Sequence, residues 1–189
     1  MPLNITRALP LYSYIIQPEF YFKKRYIMNY LGIEKAKISK TVKELNKLLA
    51  CYHVYYQNLR NFHWNVQGEN FFALHAQFEL LYKDARTQID AVAERILTLR
   101  HRPMSTMSEY LEASMVEEAG EVSEDREMVA TTLENHKQII ECMRNVLEAA
   151  DKPSDEGTND LISNFLGDIE KKSWMLDAWL AHQREAVAA

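Results

Sequence analysis

The sequence predicts an all-α protein: an antiparallel four-helix bundle with a short helix in the middle crossover. Beyond Pro18, proline and glycine occur at only a few positions, so the segments between them are long. Within these segments apolar residues recur every three or four positions, which is the period of an amphipathic helix. Outside the N-terminal segment we find no β-branched run with a period of two, so we do not expect a sheet.

Four long helices and one short helix are predicted in order along the chain. The long helices span about 34–64, 71–100, 123–150 and 158–183, and the short helix lies within 105–114. Gly68 marks the tight connection after the first long helix, whereas Pro103 and Pro153 end the second and third. Ser123 is placed to cap the third long helix. The short helix lies in the crossover that joins the two halves of the bundle.

Residues 1–27 differ from the rest and are predicted to be an appended arm, which leaves 28–189 for the bundle. The arm holds three of the five prolines, six tyrosines or phenylalanines and the Lys23-Lys24-Arg25 cluster. It lacks the basic start, apolar centre and small-residue cleavage site of a secretory signal, so export is not expected. Met28 leads directly into the first helix, which raises the hypothesis that translation begins there; mass spectrometry of the native protein would decide.

Composition narrows the classes of function. With 189 residues, 47% of them hydrophobic and 26% charged, the chain is expected to form one soluble domain, and no apolar run approaches a membrane-spanning length. Cys51 and Cys142 fit neither a CxxC metal motif nor a disulfide framework, so we expect ordinary thiols in a reducing, cytoplasmic compartment. A net charge of -5 argues against a generally basic surface for nucleic acid.

The second long helix carries four potential metal ligands on one face: His75, Glu79, Asp90 and Glu94. At about 100° per residue, their side chains fall within an arc of roughly 100°. His75 with Glu79, and Asp90 with Glu94, are pairs one turn apart that can bind a cation jointly. The two pairs cannot share one metal ion within a single helix, because 11 residues separate Glu79 from Asp90, a rise of about 16 Å.

A second copy of the chain would complete such a site. If two copies of this helix pack antiparallel about a two-fold axis, the His75 and Glu79 end of one faces Asp90 and Glu94 of the other. His63, at the end of the first helix, can supply a second imidazole. Two histidines and three carboxylates suit Fe(II) and its harder ferric product better than a structural zinc ion. For either pair taken alone, a solvated helix face remains the alternative interpretation.

The sequence around these residues resembles the signature of the Dps family of mini-ferritins, ferritin-like proteins of the type found as DNA-binding protein from starved cells. The resemblance rests on His63-Trp64-Asn65-Val66-Gln67-Gly68-Glu69-Asn70-Phe71, Leu74-His75, Asp90 and Ala93-Glu94-Arg95. It extends from about Met28 to near the C-terminus. It implies a four-helix bundle with a short crossover helix, a hollow shell of twelve subunits, and ferroxidase sites at two-fold interfaces.

The resemblance also implies a role for each ligand. His63, His75 and Glu79 would come from one subunit and Asp90 and Glu94 from its partner, serving as both metal ligands and catalytic residues. The implied reaction oxidises Fe(II), preferably with hydrogen peroxide, and stores ferric mineral inside the shell, which protects against oxidative damage. Glu79 departs from the pattern, because the family more often has aspartate there, and this puts iron affinity at that position in doubt.

Several functional alternatives stay open. A di-iron site inside each bundle would need Glu-x-x-His motifs, and the sequence contains none. A shell that binds and compacts DNA, with secondary iron chemistry, would use the basic residues Lys23, Lys24, Arg25, Lys35, Lys37, Lys40, Lys43 and Lys47. A purely structural assembly would lose His63 or Asp90 without chemical consequence.

The resemblance also implies that acidic residues line the pores through which iron enters the shell. The candidates here are Glu117, Glu118, Glu121, Glu124 and Asp125, and a solvated acidic loop is the alternative interpretation.

Overall fold

Five helices form the part of the chain that this computed structural model describes, residues 30–188, with the backbone alone described for Lys35 and 182–188. They are α1 (Lys35–Asn65), α2 (Phe71–Thr98), α3 (Met107–Ala113), α4 (Asp125–Asp151) and α5 (Glu156–Ala188). Residues 30–188 contain no β-strand. The predicted bundle of four long helices with a short helix in the middle crossover is confirmed. The predicted arm, 1–27, and the hypothesis of a start at Met28 lie outside the described residues.

The helices end close to the positions predicted from glycine and proline, with small differences. Gly68 adopts a φ of 93° in the connection between α1 and α2, a conformation that favours glycine. The prediction that Ser123 caps the third long helix is wrong, because this helix, α4, begins at Asp125 and Glu124 takes the cap position without a side-chain hydrogen bond. Acidic residues in the first turn of α4, including Asp125, complement the positive end of the helix dipole instead.

The central element is α1, which packs against α2, α3 and α4, while α4 also packs against α5. Neighbours on three sides explain why four consecutive residues, Leu49 to Tyr52, are all fully buried in the middle of α1. The second helix has neighbours on one side only. Its buried residues therefore form a stripe at helical spacing: Leu74, Phe78, Leu81, Ala85, Gln88, Val92 and Ile96. The opposite face of α2 is not covered by the other described helices.

Polar contacts hold both ends of α2 against the rest of the bundle. At its start, Asn70 Nδ2 donates to Asp125 Oδ2 over 2.7 Å. Near its end, Arg95 forms an ion pair with Asp155, whose side chain is only 1% exposed, and donates from Nε to Thr158 Oγ1 over 2.9 Å. Thr158 in turn donates to Asp155 Oδ2 over 2.7 Å. A buried carboxylate is tolerated only when it is paired and hydrogen-bonded, so these contacts fix the direction of α2.

In residues 30–188, none of the helices combines the length and apolar composition that crossing a membrane would require.

Candidate metal centre

His63 and His75 face each other where α1 and α2 meet. The Nδ1 of His63 lies 2.8 Å from the His75 backbone oxygen, and the Nδ1 of His75 lies 2.8 Å from the His63 backbone oxygen. A carbonyl oxygen can only accept a hydrogen bond, so each Nδ1 carries the proton. Each Nε2 therefore keeps its lone pair, and a backbone carbonyl that fixes the tautomer is the usual support for a histidine that ligates a metal.

Aromatic packing holds the two imidazoles in place. The rings stack with centroids 3.8 Å apart and an angle of 22° between their planes. His75 also stacks on Phe71 at 5.1 Å, and Tyr82 packs against His63 in a T-shaped arrangement with ring centroids 5.3 Å apart. Both histidines are half-buried. They form a rigid pair that still reaches the surface of the chain.

Glu79 lies one turn after His75 and is held by Lys83. The Lys83 ammonium donates to a Glu79 carboxylate oxygen and lowers the pKa of Glu79. One described chain thus brings His63 and His75 into contact and places Glu79 one helical turn after His75.

The same chain does not bring Asp90 and Glu94 to this cluster. Both carboxylates are exposed on α2, and neither forms an ion pair with another described residue. They lie further along the helix from Glu79, by about 16 Å for Asp90. Within residues 30–188 of one chain, no three His, Cys, Asp or Glu side chains are arranged to hold a metal ion.

The interior of the bundle contains a histidine network that sequence reasoning missed. The Ser173 hydroxyl donates to the Ile169 carbonyl over 2.7 Å, so it accepts from His136 Nδ1, 2.8 Å away. His136 Nε2 then accepts from the Tyr55 hydroxyl at 2.6 Å. Burial, followed by the charge of Lys172, lowers the pKa of His136 to about 3. Both ring nitrogens are occupied, and the ring stays neutral.

A half-buried lysine, Lys172, lies near this network. Lys172 pairs with Asp84 of α2 and Asp168 of α5. Burial opposes its charge, but the hydrogen bonds to the two carboxylates outweigh that effect and raise the pKa of Lys172. Asp84 and Asp168 are therefore held by an ion pair, and the chain lacks the Glu-x-x-His motifs that a di-iron site inside the bundle would need.

Other residues singled out in the sequence have ordinary surroundings. Trp64 is 58% exposed, with the Arg60 guanidinium 4.6 Å from the centre of its ring, so it is not part of the core of this chain. In the acidic segment, Asp125 is used by Asn70, and the other four carboxylate residues are exposed. On the lysine face of α1, Lys37 pairs with Glu34 and Lys40 with Glu148. The Lys23-Lys24-Arg25 cluster lies outside the described residues.

Comparison with known proteins identifies the relatives of this arrangement. Residues 42–186 match the model of the ferritin-like domain family, Ferritin. The DNA protection during starvation protein of Porphyromonas gingivalis is 42% identical over 159 residues, which cover 81% of this chain and 96% of that protein. The DNA protection during starvation protein 2 of Bacillus anthracis is 40% identical over 143 residues, 75% of this chain and 97% of that protein.

Solved structures agree with the sequence relatives. The crystal structure of the DPS protein from Vibrio cholerae O1 superposes with a TM-score of 0.80 at 41% identity, covering 82% of this chain and 97% of that chain. That protein is described as a member of a broad superfamily of ferritin-like diiron-carboxylate proteins. The shared length covers nearly the whole of each relative.

Proposed function

The chain belongs to the Dps family of ferritin-like mini-ferritins, and from this premise we propose that it is a ferroxidase that oxidises Fe(II) with hydrogen peroxide. Family membership supports iron sequestration and protection as the general function. The finer proposal is that twelve subunits enclose a cavity in the cytoplasm, that the ferric product is stored there as mineral, and that oxidation takes place at two-fold interfaces.

The observation that carries the proposal is the pair of imidazoles at the end of α1 and the start of α2. Both Nδ1 protons are donated to backbone oxygens, so both Nε2 lone pairs are available to a metal ion. Glu79 adds a carboxylate that Lys83 keeps ionised. Nitrogen and oxygen donors of this kind suit Fe(II).

The face of α2 supports the participation of a second subunit. Phe72, Leu80 and Leu97 are 85%, 63% and 56% exposed in the single chain. At about 100° per residue they lie on the same side of α2 as the predicted ligands. Large exposed apolar side chains in one place are typical of an interface between proteins. An antiparallel copy of α2 would cover them and bring the partner's Asp90 and Glu94 to His63 and His75.

The proposed reaction balances with two Fe(II) ions for each peroxide. Each iron gives up one electron, the peroxide bond breaks, and two protons complete two water molecules. Because peroxide accepts both electrons in one site, hydroxyl radical is not released. His63 and His75 bind the incoming Fe(II) through Nε2, whereas Glu79, Asp90 and Glu94 supply the oxygen ligands that ferric iron prefers. The oxidised ion then passes into the cavity.

The first test measures iron oxidation in single-residue variants. Fe(II) is added to the apo-protein without oxygen, peroxide follows, and ferric absorbance is recorded for the wild type, His63→Ala and Asp90→Ala. His53→Ala and Asp160→Ala are matched controls: His53 is half-buried on α1, and Asp160 is exposed on α5. We expect the first two variants to lose rapid oxidation and the controls to keep it. Wild-type oxidation no faster than protein-free buffer would overturn the proposal.

A second test asks whether the site is shared between subunits. His63→Ala and Asp90→Ala chains carrying different tags are co-expressed, and mixed assemblies are purified. If each site takes ligands from both subunits, a mixed two-fold pair has one site with both changes and one intact site. Random pairing then restores about a quarter of wild-type oxidation. If all ligands come from one chain, the mixture stays inactive, and the interface assignment is wrong.

A further inference from the structure

Two cysteines that are distant in the sequence meet in the centre of the bundle. Cys51 of α1 and Cys142 of α4 are 91 residues apart, yet their Sγ atoms are 3.5 Å from each other. Both thiols are free, and both side chains are almost completely buried. Their spacing along the chain does not pair them, because the contact arises from the packing of α1 on α4.

A third sulfur atom and a backbone donor complete the cluster. Met115, in the segment between α3 and α4, donates from its backbone nitrogen to Cys51 Sγ over 3.3 Å. Its own Sδ lies 3.6 Å from Cys142 Sγ. These contacts distinguish the two thiols: Cys51 accepts hydrogen bonds, whereas Cys142 has acceptors on two sides to which its proton can be donated.

The hydrogen bonds affect ionisation in the same sense. The contact with Cys142 and the backbone groups of Met115 and Val116 lower the pKa of the Cys51 thiol, although burial opposes them. The contact with Cys51 and burial raise the pKa of the Cys142 thiol. Since the thiolate is the nucleophile, Cys51 is the thiol prepared to react first.

We propose that Cys51 and Cys142 are a peroxide-oxidised dithiol, with Cys51 as the attacking thiol and Cys142 as the resolving thiol. The Cys51 thiolate attacks one oxygen of hydrogen peroxide, the O–O bond breaks, and water leaves after protonation, giving a sulfenic acid. Cys142 sulfur then displaces the sulfenic oxygen as a second water molecule and forms the disulfide. The two thiols lose two electrons and two protons, and one peroxide becomes two waters.

Access to the pair depends on the segment that covers it. Met115 and Val116 lie in 114–124, which has no helix or strand and joins α3 to α4. Local opening of such a segment admits a small oxidant more readily than a bulky reagent. We therefore expect peroxide to react with the folded protein while iodoacetamide does not. The reaction requires no iron, so it is independent of the proposed ferroxidase site.

The experiment treats the iron-free assembled protein with a small excess of hydrogen peroxide. Remaining thiols are alkylated after unfolding, and intact and peptide masses are measured. We expect loss of two hydrogens per chain, a peptide cross-linked between Cys51 and Cys142, no covalent dimer, and reversal by dithiothreitol. Full alkylation of both thiols after peroxide treatment, oxidation at Met115 alone, or disulfides between chains would overturn the proposal.

Single-cysteine variants test the two assigned roles. In Cys142→Ser, Cys51 has no resolving partner, so dimedone added together with denaturant after the peroxide treatment should trap its sulfenic acid. In Cys51→Ser, Cys142 should remain a thiol under the same treatment. Cys51→Ala and Cys142→Ala provide a second pair if the buried serine prevents folding. Equal labelling at the remaining cysteine in both variants would contradict the assigned order of attack.

Discussion

Two histidine environments in this chain differ in what is left for chemistry. His63 and His75 each donate from Nδ1 to a backbone oxygen, and each keeps an Nε2 lone pair at the half-buried junction of α1 and α2. His136 donates from Nδ1 to Ser173 and accepts at Nε2 from Tyr55 in the bundle interior. The first arrangement leaves an Nε2 lone pair on each ring available to a metal ion, whereas in the second both ring nitrogens of His136 take part in structural hydrogen bonds.

The comparison shows that the partners of an imidazole, more than its presence, decide its role. A carbonyl can satisfy only the donor side of a neutral ring, which leaves the acceptor side for a metal ion. A hydroxyl on each side satisfies the whole ring. Near His136, Lys172 pairs with Asp84 and Asp168. The interior histidine therefore stabilises the fold, whereas the two histidines at the junction of α1 and α2 are suited to binding a metal ion.

The largest expected effect comes from removing the interior ring. His136→Ala creates a cavity and leaves the Tyr55 and Ser173 hydroxyls without their partner, which should lower the free energy of unfolding by about 3–5 kcal/mol. Urea denaturation at fixed protein concentration measures the change. Tyr55→Phe is the milder control, because it removes only one hydrogen bond, at a cost of about 1 kcal/mol. If His136→Ala lowered the free energy of unfolding by no more than Tyr55→Phe does, the structural role assigned to His136 would be wrong.

The pH dependence of stability should also report His136. Its pKa is about 3 in the folded chain, against about 6.5 for an unfolded histidine. As pH falls below about 6.5, the unfolded state binds a proton that the folded state refuses, so stability decreases by about 1.4 kcal/mol per pH unit until about pH 3. The free energy of unfolding of the wild type and of His136→Phe, measured from about pH 4 to about pH 7, isolates this slope. The same slope in both proteins would exclude His136 as its source.

A smaller change in stability is expected at the junction. His63→Ala removes a half-buried ring and one hydrogen bond at the surface of the chain, so the free energy of unfolding should fall by about 1 kcal/mol. Iron oxidation should nevertheless be lost, whereas a folded His136 variant should keep it. A large loss of stability in His63→Ala, with normal oxidation per folded chain, would mean that His63 has a structural role and not the assigned role in iron oxidation.

The smallest effect is expected from Lys83→Gln. Lys83 lowers the pKa of Glu79, which keeps the carboxylate ionised as the pH falls. Removing the ammonium should therefore shift the acidic limit of Fe(II) binding to higher pH and leave binding at neutral pH nearly unchanged. Anaerobic Fe(II) titrations across acidic pH measure the shift. Glu79→Gln is the control, because its binding should no longer respond to Lys83.

The sequence predicted those parts of the fold and site that depend on local periodicity. Helical spacing and Pro103 and Pro153 located the helices, and the one-turn spacing of His75 and Glu79 placed them together. It missed the Arg95 pair with Asp155 and the Tyr55, His136 and Ser173 network, since these contacts join different helices. It also assigned Ser123 as a cap, because capping propensity is a weak local preference that the observed start at Asp125 overrides.

By itself the sequence determined the all-α bundle, the stripe of ligands on the second helix and the resemblance to the mini-ferritins, because each depends on residue type and on spacing along one helix. Only the tertiary structure decided which imidazole nitrogens are free, that Lys172 pairs with Asp84 of a different helix, and that Cys51 contacts Cys142. Those properties depend on which helices are neighbours and on their rotation about their axes, and packing of the whole core fixes both.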